Sequence, residues 1–268
     1  MLECVVNISE GRDIALLAGM AEALRPALLD VHTDPDHNRS VFTLVGEDAP
    51  RELARMSVQR LRIDTHEGVH PRLGVVDVVP FVPLAGSTFR DAEIARDAFA
   101  HWAADELGVP CFTYGRERTL PDVRRTAWKG LSPDHGPAVP HATAGAMCVG
   151  ARDVLVAYNV WLDTDIATAR EIASQVRTAE IRTLGLQVGD AVQVSMNLVS
   201  PGVAGPAIAF DAVSSAASAR DIRVLHAELV GLVPQRVLSD VPRGRWEELD
   251  LSGERTIEAR LEAAGISR

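Results

Sequence analysis

Hydrophobic and polar positions along this chain switch between two periods, one suited to strands and one to helices. Residues 3–8, ECVVNI, form a short β-branched run that reads as a strand. DIALLAGMAEAL, from Asp13, carries apolar residues at helical spacing behind an aspartate suited to capping. ALLDVHT and RSVFTLVG are two further strands, parted by the turn-forming DPDHN. APRELARMSVQRLRI returns to the helical period, and GVVDVVPFVPL is a strand whose prolines point to a sheet edge or an irregular end. The order is β-α-β-β-α-β, the ferredoxin-like plan.

A long helical pattern, STFRDAEIARDAFAHWAADELG, and a strand, PCFTYG, come next. Residues 116–145 then lose periodicity and fill with Arg, Pro, Gly and His, too long for an ordinary connection. The second half repeats the plan: strand ARDVLVAYNVWL, helix TDIATAREIASQVRTA, strands RTLGLQV and AVQVSMNLV, helix GPAIAFDAVSSAASAR and strand IRVLHAELVGLV. The first strand of each half runs into an asparagine, Asn7 or Asn159, and the last ends in Val-Pro, at Val82-Pro83 or Val233-Pro234. The expected fold class is therefore α/β (α+β), with two ferredoxin-like subdomains, 1–145 and 146–268, packed around a cleft that suits a small molecule. The charged, amphipathic tail 235–268 is expected to form short helices covering a sheet edge.

Composition narrows the possibilities only slightly. The 268 residues are 47% hydrophobic, enough for a core that needs no disulfide or metal. A net charge of -10 without any Lys/Arg run argues against nucleic acid as a partner. No apolar run is long enough to span a bilayer, and the opening MLECVVNISEGR does not read as a secretory signal, so no membrane association and a cytoplasmic location are expected. Cys4, Cys111 and Cys148 lie far apart in apolar runs and read as buried reduced thiols.

The segment HEGVHPR, 66–72, contains H-E-x-x-H, which on a helix binds zinc. Gly68, Val69 and above all Pro71, which forces His70 out of the α region, oppose that geometry. His70 instead stands in a loop beside Arg72, where it could move protons for an anionic substrate or simply hydrogen-bond the loop backbone. In DVHTDPDHNRS, alternation places Asp30, His32 and Asp34 on one face, with His37 nearby. That spacing resembles a metal set, yet the same residues are what a turn prefers. Asn7 and Glu10 could line a cleft past the first strand, while Ser9 or Asp13 caps the next helix. Arg39, Arg72 and Arg152 are candidates for holding carboxylates through the guanidinium fork. There is neither a nucleophile elbow nor a dinucleotide fingerprint.

Taken together, ECVVNISEGR, HNRSVFTLVG, HEGVHPRLGVVDVVPFVPL, ELGVPCFTYG, GARDVLVAYNVWL, VSMNL and ELVGLVP resemble, in order and across residues 3–234, the formiminotransferase domain of the glutamate formimidoyltransferase family. HEGVHPRLG is similar to the family's G-x-H-P-R-x-G loop. The resemblance implies two α/β subdomains with folate between them, a homodimer, and transfer of a formimino group from N-formimino-L-glutamate to tetrahydrofolate, in a short form without a cyclodeaminase domain. It also implies that His70 is the catalytic histidine and that Gly136 and Pro137 through His141, Thr143 and Gly145 contact folate. Val69 stands where many relatives carry glutamate, GPAVPHATAG lacks a tryptophan found in animal relatives, and 176–190 lacks a basic insertion. Two other readings stay open: a metal-dependent hydrolase of formimino or amidino compounds using Asp30, His32 and His37, and a non-catalytic folate-binding protein.

Overall fold

In a computed structural model, which describes residues 1–266, the chain forms two units, the first ending at Asp153 and the second starting at Val154. The first opens with β1 (Leu2–Ile8), α1 (Ile14–Ala23), β2 (Leu28–Asp34), β3 (Arg39–Val45), α2 (Asp48–Arg60) and β4 (Val76–Pro83). It continues with α3 (Phe89–Leu107), β5 (Cys111–Tyr114), α4 (Leu120–Thr126) and β6 (Met147–Ala151). The second contains β7 (Val156–Leu162), α5 (Ile166–Gln175), β8 (Ile181–Val188), β9 (Ala191–Leu198), α6 (Pro206–Ser218) and β10 (Val224–Val230). After it come α7 (Gln235–Ser239), two 3-10 turns and α8 (Ile257–Ala263).

Strand order bears out the ferredoxin-like reading of both halves. The first sheet runs β2-β3-β1-β4-β6-β5 and the second β10-β7-β9-β8. In each, the four strands of the β-α-β-β-α-β unit take the same spatial order, fourth-first-third-second. The first sheet adds β6 and β5, both parallel to the strands beside them. Two details depart from expectation. The segment ARDVLVAYNVWL is not one strand: β6 ends at Ala151 and β7 begins at Val156. Since β6 hydrogen-bonds between β4 and β5, the first unit reaches Asp153, eight residues past the expected boundary at Gly145. The stretch 116–145 is likewise not without structure. Thr119 and Asp122 form a capping box that starts α4, with a proline in its first turn.

Alternation decides the faces. Leu2, Cys4, Val6 and Ile8 of β1 join Phe42, Phe81 and Phe99 in one fully buried core under the helices. Each such aromatic ring stabilises by about 2–3 kcal/mol on burial. The opposite face carries Glu3, Val5 and Asn7, and part of it is closed by Val78, Phe112, Tyr114 and Cys148 packing against Val123 of α4. Residues 76–82 of β4 are thus buried on both faces, which is why VDVVPFV reads as a continuous apolar run. All three cysteines are free and buried. Among the described residues no helix is long and apolar enough to cross a membrane.

The tail both fills a core and covers an edge. Val237, Leu238, Val241, Leu249 and Leu251 are buried in the second unit's core, and Tyr158 Oη donates to the Leu249 carbonyl at 2.9 Å. β10 is an edge strand, and the tail occupies the outward backbone groups of Leu229. Its N–H donates to Asp250 Oδ2 at 2.8 Å, while Arg255, itself paired with Asp250, donates to its carbonyl. Side chains thereby replace the missing neighbour strand. Asp250→Ala is expected to cost about 1–3 kcal/mol, because it leaves the Leu229 N–H without an acceptor. A urea titration followed by circular dichroism measures this; an unchanged midpoint would rule out the edge-capping role.

Candidate functional site

One end of the first sheet gathers most of the sequence candidates. β4 and β6 start there, β1 finishes there with Asn7 and Ile8, β2 finishes with Asp34, and β3 starts with Arg39. At this end Asn7 pairs with Val78 but Ile8 pairs with Val76, so Asp77 is an extra residue in a β-bulge. A bulge re-aims a side chain. The fully buried Asp77 carboxylate accepts from the Leu73 N–H through Oδ1 (2.8 Å), and from Arg39 Nη1 (2.7 Å) and Arg124 Nη2 (2.6 Å) through Oδ2. Burial alone would raise its pKa, but the two guanidiniums overcome that and hold it below the usual carboxylate range. Arg39 also donates Nε to Asn7 Oδ1 at 3.1 Å, and its Nη2 is unengaged among the described residues.

HEGVHPR is a loop, not a helix, as its proline requires. Arg72 organises it. Its guanidinium donates to the carbonyls of Gly68 (2.6 Å) and His70 (2.6 Å from Nη2 and 3.1 Å from Nε), and to His66 Nδ1. His66 Nε2–H in turn donates to the Asn38 carbonyl at 2.9 Å. Asn38, at φ 47°, bonds the Glu67 carbonyl and the Gly11 N–H, tying three loops together. Arg72 is therefore committed to loop backbone, contrary to the expectation that it waits for a carboxylate.

His70 is half-buried. Its Nδ1 lies 2.8 Å from the Pro71 carbonyl, and because a carbonyl only accepts, Nδ1 carries the proton and Nε2 keeps a lone pair. Burial, followed by the charges of Arg39 and Arg124, pushes its pKa down to about 3, against upward pulls from the Pro71 carbonyl and Asp77. The ring of His37 meets it edge-on, 6.2 Å between centroids. His70 is thus a neutral imidazole beside excess positive charge, which suits a proton acceptor working next to a bound anion.

The segment resembling a folate-contacting stretch lies at this end of the sheet, with only its later part against the His70 loop. His141 and Gly145 exchange backbone hydrogen bonds at 2.9 Å, and His141 Nδ1 accepts the Ala144 N–H at 3.0 Å. The Thr143 carbonyl accepts the Ile63 N–H at 2.7 Å, and Gly145 bridges Gly74 beside the His70 loop. The approach is so close that a Cβ on Gly145, at φ +74°, would lie 2.2 Å from the Leu73 carbonyl oxygen. Gly136 and Pro137 are exposed, and a Cβ on Gly136 would meet the side chain of Ala104 on α3 and the backbone of Val109 and Pro110.

Other candidates lie elsewhere or are occupied. Arg152 follows the far end of β6, donates its N–H to Phe81 and has Glu3 and Asp153 as its charged neighbours, roughly 20 Å along the strand from Gly145. It is not beside His70. Glu10 turns back on the N–H groups of Arg12 (2.7 Å) and Asp13 (2.9 Å), and Asp13 caps α1. Asp34 pairs with His37 Nδ1 at 2.8 Å and accepts the backbone N–H groups of residues 36 and 37, as a turn aspartate does. Among the described residues no three His, Cys, Asp or Glu side chains are grouped to hold a metal.

Sequence reasoning missed Asp77 and Arg124. Each had a signal: a lone carboxylate inside the apolar run GVVDVVPFVPL, and the capping box TLPD that starts α4. Asp77→Asn is expected to destabilise the protein by about 3 kcal/mol or more, since it leaves two buried guanidiniums sharing no anion; a denaturant titration checks this. His70 has a folded pKa below its ordinary 6.5, so the unfolded chain binds more protons between about pH 3 and 6.5. Its contribution is complete above pH 6.5 and is lost as pH falls through that window. His70→Gln is expected to lose less stability than wild type between pH 7 and pH 4.5, and parallel losses would contradict the assigned environment.

Comparison with known proteins supplies the family. The model of the formiminotransferase domain's N-terminal subdomain matches residues 1–152, and that of the formiminotransferase domain matches residues 157–252. A glutamate formimidoyltransferase of Streptococcus pyogenes serotype M1 is 34% identical, the alignment covering 90% of this chain and 91% of that protein. One from Thermoplasma acidophilum is 33% identical over 91% of each. The formimidoyltransferase-cyclodeaminase of Sus scrofa is 31% identical over 90% of this chain but only 51% of its own length. With both halves matched and full-length relatives above 30% identity, the chain belongs to the formiminotransferase domain family.

Proposed function

We propose that this protein is a transferase that moves a formimino group from N-formimino-L-glutamate to tetrahydrofolate, with His70 as general acid and base. The observation that carries the reading is its similarity, over about nine tenths of both chains, to proteins that are glutamate formimidoyltransferases. The site chemistry supports it. His70 offers an unprotonated Nε2 at neutral pH, and Arg39 directs an unengaged Nη2 from the same end of the sheet.

The residues present suit a carboxylate-bearing substrate. Arg39 and Arg124 share one buried carboxylate, so a positive charge is left over for an incoming anion. In this proposal Arg39 Nη2 holds a substrate carboxylate, whose charge offsets the repulsion that, after burial, opposes protonation of His70. His70 Nε2 takes the proton that N5 of tetrahydrofolate loses as it bonds to the formimino carbon, and returns a proton to the departing glutamate nitrogen. Asn7 fixes Arg39, and the His141–Gly145 turn with Thr143 supplies the wall beside the His70 loop. Holding both substrates in position contributes several kcal/mol to lowering the barrier, of the order of 7 in ideal cases. The proposal extends to a cytoplasmic homodimer, as the resemblance implies, for which sedimentation of the purified chain is the test.

Glutamate release from N-formimino-L-glutamate is expected to require tetrahydrofolate, and to fall in His70→Ala by about 10²–10⁴-fold. An anaerobic assay of the two proteins side by side measures both. Folate-independent release, or an active His70→Ala enzyme, would overturn the reading.

A further inference from the structure

The Pro71 carbonyl is held from two sides. One lone pair accepts His70 Nδ1–H at 2.8 Å, and the same oxygen accepts Arg124 Nη1–H at 2.6 Å. The other nitrogen of Arg124 is fixed on Asp77 at 2.6 Å, and Asp77 is fixed by the Leu73 N–H and Arg39. The preceding carbonyl, that of His70, is held by Arg72. A guanidinium is planar, and its two terminal nitrogens stand at a fixed separation. Arg124 can thus set the distance between a buried carboxylate on β4 and a backbone carbonyl in the loop, and a lysine, with a single nitrogen, would lack that fixed fork.

We propose that Arg124 is a positioning residue for His70: through the Pro71 carbonyl it fixes the imidazole in the Nδ1–H tautomer, so that Nε2 carries the lone pair. The inference rests on the reading of His70 as the group that moves the proton, but its main observable is not activity. Three structural facts favour a dedicated role over general support of the fold. Arg124 is carried on α4, a seven-residue helix with a capping box, inside a stretch with little other regular structure. Its partners lie 53 and 47 residues away in sequence, at the one loop that carries His70 and at the bulge behind it. Among the described residues, its neighbour Arg125 on the same helix pairs only with Asp122 one turn earlier, in an exposed i,i+3 bridge.

The groups that face His70 from surrounding elements are Arg39 on β3, His37 in the turn after β2, Asp77 on β4, Arg124 on α4 and, on its own loop, Arg72. Arg124 acts on it twice, by anchoring its acceptor and by opposing its positive charge. Loss of Arg124 frees the Pro71 carbonyl to turn and removes a repelling cation. The first change allows a mixed tautomer; on protonation the two act in opposite directions, since the Pro71 acceptor favours the charged ring and the cation disfavours it.

The test is nitrogen NMR of the histidine rings in the full chain, with His70 assigned by its loss in His70→Gln, for wild type, Arg124→Met and Arg124→Lys. The wild type is expected to show a pyrrole-like Nδ1 and a pyridine-like Nε2 at pH 7. In Arg124→Met the two signals are expected to converge toward a tautomer average. Arg124→Lys, which keeps the charge but not the fork, is expected to show the mixed tautomer as well, and it serves alone if the methionine variant does not fold. In the transferase assay kcat is expected to fall about 10–100-fold, with both KM values within about threefold, as misplacement of a proton-transfer group does. Unchanged ring signals in a folded Arg124 variant would overturn the proposal, whatever its stability. A raised KM with unchanged kcat would also overturn it, pointing to a substrate contact. If His70→Ala proves active, the functional reading fails by itself, while the ring signals still decide whether Arg124 sets the tautomer.

Discussion

The buried Asp77 carboxylate is the contact on which the rest of the site hangs. It joins a strand bulge, the loop residue Leu73, Arg39 from β3 and Arg124 from α4, four places that are scattered along the first 124 residues. Burying a carboxylate is costly unless it is fully hydrogen-bonded and paired, and here both oxygens are engaged. One anion facing two guanidiniums leaves the cluster positive. That surplus does two things at once: it adds to the burial that keeps His70 neutral, and it makes this end of the sheet attractive to an anion. A structural ion pair with matched charges would add neither effect.

Around that hub, the loop bearing His70 owes its shape to backbone acceptors filled by side-chain donors. Arg72 serves Gly68 and His70, Arg124 serves Pro71, and His66 with Asn38 closes the other side. A loop without its own ladder must satisfy its polar groups this way or leave them to water. The paired glycines, Gly74 and Gly145, let the 141–145 turn lie directly against it. Val69, half-exposed next to His70, has a side chain that makes no hydrogen bond in this framework. Change at that position can alter what meets the site without disturbing the hydrogen bonds that hold it.

The two units show how one plan is finished in different ways. Both place their four strands in the same order, yet the first extends its sheet with β6 and β5, while the second stops at β10 and covers that edge with Asp250 and Arg255 from the tail. An exposed edge needs either another strand or side chains that imitate one.

What the sequence determined by itself was the periodicity of its elements, and with it the strand order, the buried faces and the exclusion of a helix through HEGVHPR. These follow from local rules: alternation sets which side of a strand is buried, and Pro71 forbids the α region at His70. It also pointed to His70, Arg39 and Asn7, which the fold brings to one end of the sheet. Only the tertiary structure decided the rest. Arg72 and Arg152 look alike as candidate carboxylate clamps in sequence, but one is spent on loop carbonyls and the other stands at the far end of β6. Arg124 lay in a stretch without periodicity, and Asp77 looked like an interruption of a strand. Their meaning depends on a one-residue bulge and on contacts 47 residues apart, and no local pattern encodes which distant donor will reach a buried acceptor.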